Sequence, residues 1–411
     1  MKKLTSLLLA LCLVLSLGAG AFAADGIAPE DLKIGMVCIG DNNSGYDIAH
    51  ITGLETACEA LGVPVADNVI YKYNIGEDET AADACYDLAE SGCQIIFTDS
   101  YGHQTYTQQV ASEYPEITFC AMTGDLAAQS GLANLKNAFN HTFESRYVSG
   151  VVAGMKLAEL IENDELVDEN YDDDGNVKIG YVGAYPYAEV VSGYTAFFLG
   201  IRSIVENVHM DVRYTNSWFD MTGEGEAANA LMADGCVIIG QHADSTGAPS
   251  AVQAYHETGH TVFCVGYNID MQSVAPDVAL TSAGNDWSVY YTFALQSMID
   301  GTEIPTDWSE GYNEGANYIF PLNESIVAEG TADKVAEVEA GLTDGSLQVF
   351  DCSTFTVEGE NPTSFLAIDL DGDFEGDEGE AIKDGIFYES DPELRSAPYF
   401  SLRIDGITEL S

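Results

Sequence analysis

A chain of 411 residues with 14 basic against 67 acidic side chains carries a formal charge of −53. A surface of that sign repels phosphate backbones and anionic headgroups, which argues against nucleic acid or a lipid surface as a partner but says nothing about the fold. The length suits two domains, and an apolar content of 46% can fill their cores.

In chain order, Lys2 and Lys3 precede an apolar stretch from Leu4 to Leu17, followed by small residues with Ala21-Phe22-Ala23 as a cleavage pattern. That combination predicts an export signal over residues 1–24. The stretch is shorter than the roughly 20 residues that span a bilayer, and no later run approaches it. The remaining chain is therefore expected to be exported and soluble, in the periplasm or at the cell surface. Cys12 follows Leu11 rather than a small residue and lies inside the apolar run, so a lipid anchor is not expected.

Strand and helix patterns then alternate. Short β-branched runs at 33–39, 69–71, 94–98 and 117–120 are separated by helical periodicities at 48–61, 80–91 and 105–113. After a long helical stretch at 143–161 and an acidic loop at 162–176, the pattern restarts. Strands are predicted at 177–182, 212–215, 236–239, 261–265 and 279–281, with helices at 187–205, 225–233 and 249–258 between them. Nearly continuous apolar strands bounded by helices indicate parallel sheets covered on both faces. The fold class is α/β, with two doubly wound, Rossmann-like units in tandem. Beyond Val327 a short helical stretch leads into Gly-, Asp- and Glu-rich sequence, expected to form a small acidic C-terminal extension.

In such sheets ligands gather beyond the carboxyl ends of the strands. The loops there are 40–46, 99–103, 122–125, 183–187, 216–220, 240–246 and 266–270, all rich in aromatics, Asp, Asn and His. Two such rows facing one another would form a cleft with stacking surfaces and carboxylate acceptors, suited to a flat, hydroxyl-bearing ligand. Trp218 and Trp287 each sit at a predicted edge of the cleft, with a buried core position as the competing reading, and Tyr101 and Tyr185 are further candidates to which the same alternative applies.

Eight cysteines remain beyond the signal. Cys38, Cys120, Cys236 and Cys264 lie in strand-like runs, and Cys58 and Cys85 in helical ones, so they read as small buried hydrophobes rather than a disulfide framework. His256-Glu-Thr-Gly-His260 is formally a zinc-hydrolase motif, but Gly259 stops the helix that would align both imidazoles. His242, Asp244 and Ser245 are too close in sequence to form a triad, and no nucleophile elbow, dinucleotide fingerprint or P-loop is present. His242 is instead expected to hydrogen-bond a ligand, and Asp244 or Ser245 to cap the next helix. The acids of 369–380 are spaced as in a calcium loop, but Phe374 stands where the sharp turn needs glycine. No metal and no cofactor are expected.

The loop Gly40-Asp-Asn-Asn-Ser-Gly-Tyr-Asp47, the stretch Phe143-Glu-Ser-Arg-Tyr-Val-Ser-Gly-Val-Val-Ala-Gly154 and the run Val177-Lys-Ile-Gly-Tyr-Val-Gly183 resemble the basic membrane protein family. So do Ser217-Trp-Phe-Asp220, Gln241-His-Ala-Asp-Ser245 and Leu280-Thr-Ser282. That family comprises type I periplasmic-binding-protein-like receptors of ABC importers, including purine nucleoside receptors. The resemblance spans about 32–323 and implies two lobes joined by three crossovers. The N-terminal lobe would comprise 31–140 and about 283–315, the C-terminal lobe 141–282 and about 316–345, and the extension 346–411. It further implies that Tyr46 stacks on a purine, with Asp41 and Asn42 as polar partners and Asp125 and Asp270 receiving ribose hydroxyls. The family's nucleoside receptors carry a lysine after the Leu-Thr-Ser segment, where this chain has Ala283-Gly-Asn-Asp-Trp287. The ligand expectation is therefore a purine nucleoside or nucleobase. A membrane permease is the expected partner, the chain is expected to be a monomer, and no catalysis is expected. A nucleoside-processing hydrolase using the same cleft and a ligand sensor for a membrane receptor are the alternative readings.

Overall fold

The structure, a computed structural model, describes residues 26–367, 379–391 and 395–410. The export signal, Cys12 and most of the acidic 369–380 loop lie outside the described residues. No helix among those described is long and apolar enough to cross a membrane.

Two sheets form two lobes. The first contains β1 (Ile34–Val37), β2 (Val69–Lys72), β3 (Ile95–Thr98), β4 (Thr118–Met122), β5 (Leu135–Ala138) and, much later in the chain, β11 (Asp307–Trp308). Their order is β11-β5-β4-β3-β1-β2, all parallel. The second contains β6 (Val177–Gly183), β7 (Val208–Tyr214), β8 (Ile238–Gln241), β9 (Phe263–Tyr267), β10 (Ala279–Asn285), β12 (Asn317–Ile319) and β15 (Ile407–Leu410), in the order β12-β10-β9-β8-β6-β7-β15. Only β12 runs antiparallel to its neighbour. A separate hairpin joins β13 (Ile382–Lys383) to β14 (Ile386–Phe387).

Central strands such as Ile34–Val37 and Ile95–Thr98 in the first sheet and Phe263–Tyr267 in the second are buried at every position, which is why they read as nearly unbroken apolar runs. Helices cover both faces. In the second lobe, the helices Thr142–Glu162 and Ala188–Arg202 pack backbone to backbone through glycines. A Cβ on Gly150 would come within 2.2 Å of the Phe197 carbonyl oxygen, and one on Gly200 equally close to that of Tyr147.

The chain passes between the lobes three times: from β5 into the helix Thr142–Glu162, from β10 into the helix Ser288–Asp300, and from β11 into β12. The helix Ser288–Asp300 belongs to the first lobe, where Tyr290, Tyr291 and Leu295 join the core around Ile34, Leu54 and Phe97. The described residues beyond 346 pack against the second lobe. Phe350, Phe355, Phe387 and Phe400 enter the second lobe's core, and β15 extends that lobe's sheet beyond β7.

Candidate functional site

The parallel strands of both lobes point their carboxyl ends toward a shared cavity of about 820 Å³. Its first-lobe wall comes from the loops after β1, β2, β3, β4 and β5. Its second-lobe wall comes from those after β6, β7 and β8 and from the end of β9. The doubly wound topology thus gathers the strand-end loops and their polar side chains on one side. Several of these strand ends are strained. Asn74 and Thr123 line the cavity with φ of 55° and 59°, and Asn216 and Asn268 adopt similar values beside lining residues. For the β-branched Thr123 this is a costly backbone geometry, and such residues cluster at functional sites.

The loop after β1 is folded by its own side chains. The Gly40 N–H donates to Asp47 Oδ1 at 2.8 Å, the Asn43 N–H to Asp41 Oδ1 at 2.9 Å, and Ser44 caps the helix Gly45–Leu61. Tyr46, in the first turn of that helix, donates its hydroxyl to the Asp99 carbonyl and sets its ring edge-on to His50 at 4.6 Å. Beneath it the donor atoms of Cys38, Asp47 and Asp99 all lie within 4.8 Å of one another, fully buried. Burial pushes the Asp99 carboxyl well above the usual range, and the neighbouring Asp47 charge adds to it. The Cys38 thiol is pushed up for the same first reason. Asp47 Oδ2 and Asp99 Oδ2, both buried, have no hydrogen-bond partner among the described residues, an arrangement that a proton on Asp99 would relieve.

The second lobe supplies most of the rings. Tyr185 stacks on Tyr187 at 5.1 Å and meets Trp218 edge-on at 5.0 Å. Tyr187 also reaches across the cleft to Tyr101, with ring centres 5.8 Å apart. Deeper in the cavity, Tyr267 is backed by the Arg146 guanidinium, 3.6 Å from the ring centre. His242 lies 3.5 Å from the Glu189 carboxylate. Burial, and then the Arg146 charge, hold its imidazole below the usual value, so it is neutral at pH 7. Asp244 accepts from Asn268 Nδ2 at 3.2 Å. Burial raises its carboxyl well above the ordinary range, with Glu224 the next cause.

Of the ten residues singled out from the sequence, Asp41, Tyr46, Tyr101, Asp125, Tyr185, Trp218 and His242 line this cavity. The other three are not among its lining residues. Asn42 is exposed on the first loop, and its neighbour Asn43 lines the cavity instead. The Asp270 carboxylate accepts from the Gln272 N–H at 2.9 Å, capping its own short turn. Trp287 is 1% exposed and stacks on His50 at 4.3 Å, with Gly53 making room for it, so the core reading of this tryptophan prevails. Asp125, expected as a free acceptor, already receives Tyr101 Oη at 3.2 Å and Gln104 Nε2 at 3.0 Å, and faces Arg395 at 3.5 Å.

Sequence reasoning missed Tyr267, Glu189, Glu77 and Arg395, and assigned Asp244 to a helix cap. Tyr267 belonged to a loop already recognised as a strand end and was within reach. Arg395 lies 270 residues beyond Asp125 in an acidic tail, and nothing local signals its place. In the second lobe the formal zinc motif dissolves as expected: the helix Gly247–His256 stops before Gly259, whose φ is 96°, and His260 stacks on Tyr255 instead.

Residues 42–316 match the family model described as ABC transporter substrate-binding protein PnrA-like. The purine-binding protein of Brucella abortus (strain 2308) is 32% identical over 325 residues, covering 79% of this chain and 84% of that one. A Haloferax volcanii relative, whose name assigns it to glucose binding in an ABC transporter, is 32% identical over 293 residues, covering 71% of this chain and 67% of its own. Among solved structures, an ABC transporter solute-binding protein from Aeropyrum pernix K1 superposes with a TM-score of 0.62 at 16% identity, over 80% of this chain and 94% of that one.

Proposed function

This chain belongs to the family of PnrA-like ABC transporter substrate-binding proteins, and from that premise we propose that it captures a purine nucleoside or nucleobase between its lobes for delivery to a membrane permease. The observation that carries this reading is the arrangement at Tyr267. A cation over one face of that ring withdraws electron density from it, and Tyr267 lines the cavity together with Tyr46 and Trp218. An electron-rich heteroaromatic ring is a good stacking partner for such a surface. The neutral His242 and the raised Asp244 carboxyl can both donate and accept at the edge of a flat ring. Two named relatives, one purine-binding and one assigned to glucose, bracket the ligand classes.

A sugar is the second reading, favoured by the carboxylates Asp41, Glu77 and Glu189, which suit hydroxyl donors. A thermal-shift screen with adenine, adenosine, guanosine and glucose separates the two, because a bound ligand raises apparent stability by mass action. A shift with glucose alone would overturn the purine assignment. Capture without chemistry predicts that adenosine is recovered intact after prolonged incubation. Release of adenine that disappears in His242→Ala would make the protein a hydrolase.

A further inference from the structure

We propose that the C-terminal segment is an interlobe strap, in which Arg395 positions Asp125 and so limits how far the cleft opens. The segment is rooted in the second lobe. Phe350 stacks on Phe400 at 4.3 Å, Phe387 meets Phe400 at 4.6 Å, and both Tyr194 and Tyr214 donate to Glu409 at 2.6 Å beside the β15–β7 pairing. Between those anchors it touches the first lobe. Ser390 Oγ lies 3.0 Å from Ser309 Oγ, the Ser396 N–H and hydroxyl donate to Asp307 Oδ1 at 2.8 and 2.9 Å, and Arg395 Nη1 faces Asp125 Oδ2 at 3.5 Å.

Asp307 and Ser309 stand at the start of the third crossover. Asp125 stands in the cavity wall after β4, on the lobe opposite the segment's anchors. Arg395 is also the only lysine or arginine lining the cavity among the described residues. Its guanidinium is aimed by its own chain, with Nε donating to the Ala397 carbonyl at 3.1 Å and Nη2 to that of Pro398 at 2.6 Å. Ala397 and Pro398 complete the wall beside it. The strap thus adds a noncovalent link between the lobes to the three covalent crossovers.

The test is independent of the ligand in its first arm. Spin labels introduced at the exposed positions Glu79→Cys and Glu226→Cys report the interlobe distance in the ligand-free protein. The native cysteines of the described residues are all buried, so the introduced thiols label selectively. Arg395→Ala is expected to broaden that distance distribution toward larger values. Asp125→Asn, which keeps a side chain of the same shape on the opposite lobe, is expected to do the same. Exchanging the charges, Arg395→Asp with Asp125→Arg, is expected to narrow it again. The second arm rests on the purine reading: adenosine release should accelerate about two- to fivefold in both single variants, as befits a partly exposed pair. Unchanged distances in both single variants, with thermal midpoints like that of the wild type, would overturn the strap. Failure of wild-type protein to bind adenosine would count against the purine reading, and the distance measurement would then decide the strap alone.

Discussion

The Arg146 guanidinium lies 3.6 Å from the centre of the Tyr267 ring, is 2% exposed, and has no ion-pair partner among the described residues. One of its terminal nitrogens donates to the Gln241 carbonyl, while Nε and Nη2 have no hydrogen-bond partner. A buried cation without a carboxylate is costly. Its guanidinium lies over Tyr267, a residue that lines the cavity.

This relationship makes a prediction in which stability and affinity part company. Arg146→Met fills a similar volume without the charge, so the ligand-free protein should keep its thermal midpoint or gain slightly. Purine affinity should fall by several-fold, the scale of a cation–π contribution of about 0.5–2 kcal/mol. Differential scanning calorimetry and titration calorimetry on the same sample check both halves. Loss of stability with unchanged affinity would sink the assignment.

Tyr46 joins two roles that substitution can separate. Tyr46→Phe removes the hydrogen bond to the Asp99 carbonyl at a cost of about 1 kcal/mol in folding while keeping the ring, so ligand affinity should change little. Tyr46→Ala also removes the ring and should weaken purine binding several-fold. Equal affinities in wild type and the alanine variant would show that this ring does not touch the ligand.

The cavity should reject phosphorylated ligands. Asp41, Asp47, Glu77, Asp125 and Glu189 line it against, among the described residues, a single arginine that is already turned toward Asp125. Added anionic charge would meet carboxylates across a short distance with little water to screen it. Adenosine monophosphate is therefore expected to bind at least tenfold more weakly than adenosine at equal ionic strength. Comparable titration isotherms would refute this view of the site.

Stability should fall as pH rises above the carboxylate range. Glu389 is buried against Ser192, and burial pushes its carboxyl up to about 8, with the Ser192 hydrogen bond and His141 acting in the opposite direction. A carboxyl raised on folding binds its proton more tightly in the native state. Its contribution is therefore complete below the unfolded value of about 4.3 and is lost as pH climbs toward about 8. The slope from one such group is at most about 1.4 kcal/mol per pH unit. Asp99, Asp244 and Glu224 are raised as well, burial being the first cause in each, and they add in the same direction. Urea denaturation at pH 5, 6.5 and 8 should show a flatter profile for Glu389→Gln than for wild type. Parallel profiles would mean that Glu389 does not titrate in this window.

Fold class was legible because central parallel strands are buried on both faces and so betray themselves as apolar runs. Where the burial was polar, the signal vanished. β5, Leu135–Ala138, went unpredicted because Lys136 and Asn137 interrupt it. Yet both are buried, and the Asn137 side chain donates to the Ala121 carbonyl at 2.9 Å and accepts from the Ala127 N–H at 2.7 Å. β7 begins at Val208, earlier than predicted, because Val208, Met210 and Val212 are buried while His209 and Asp211 between them are only partly so. That alternation is a weaker mark than an unbroken run.

Local chemistry by itself determined the two α/β units, the strand-end loops that carry the rings and acids, and the failure of the zinc motif at Gly259. These depend on periodicity and backbone preference, which act over a few residues. Only the tertiary structure decided that Trp218 lines the cavity while Trp287 stacks on His50 in the core, and that Asp125 is held by Tyr101, Gln104 and Arg395. It alone placed the acidic tail as the seventh strand of one sheet and as a wall of the site. Burial and charge pairing are properties of neighbours in space, and residues 270 positions apart become neighbours only once the chain has folded.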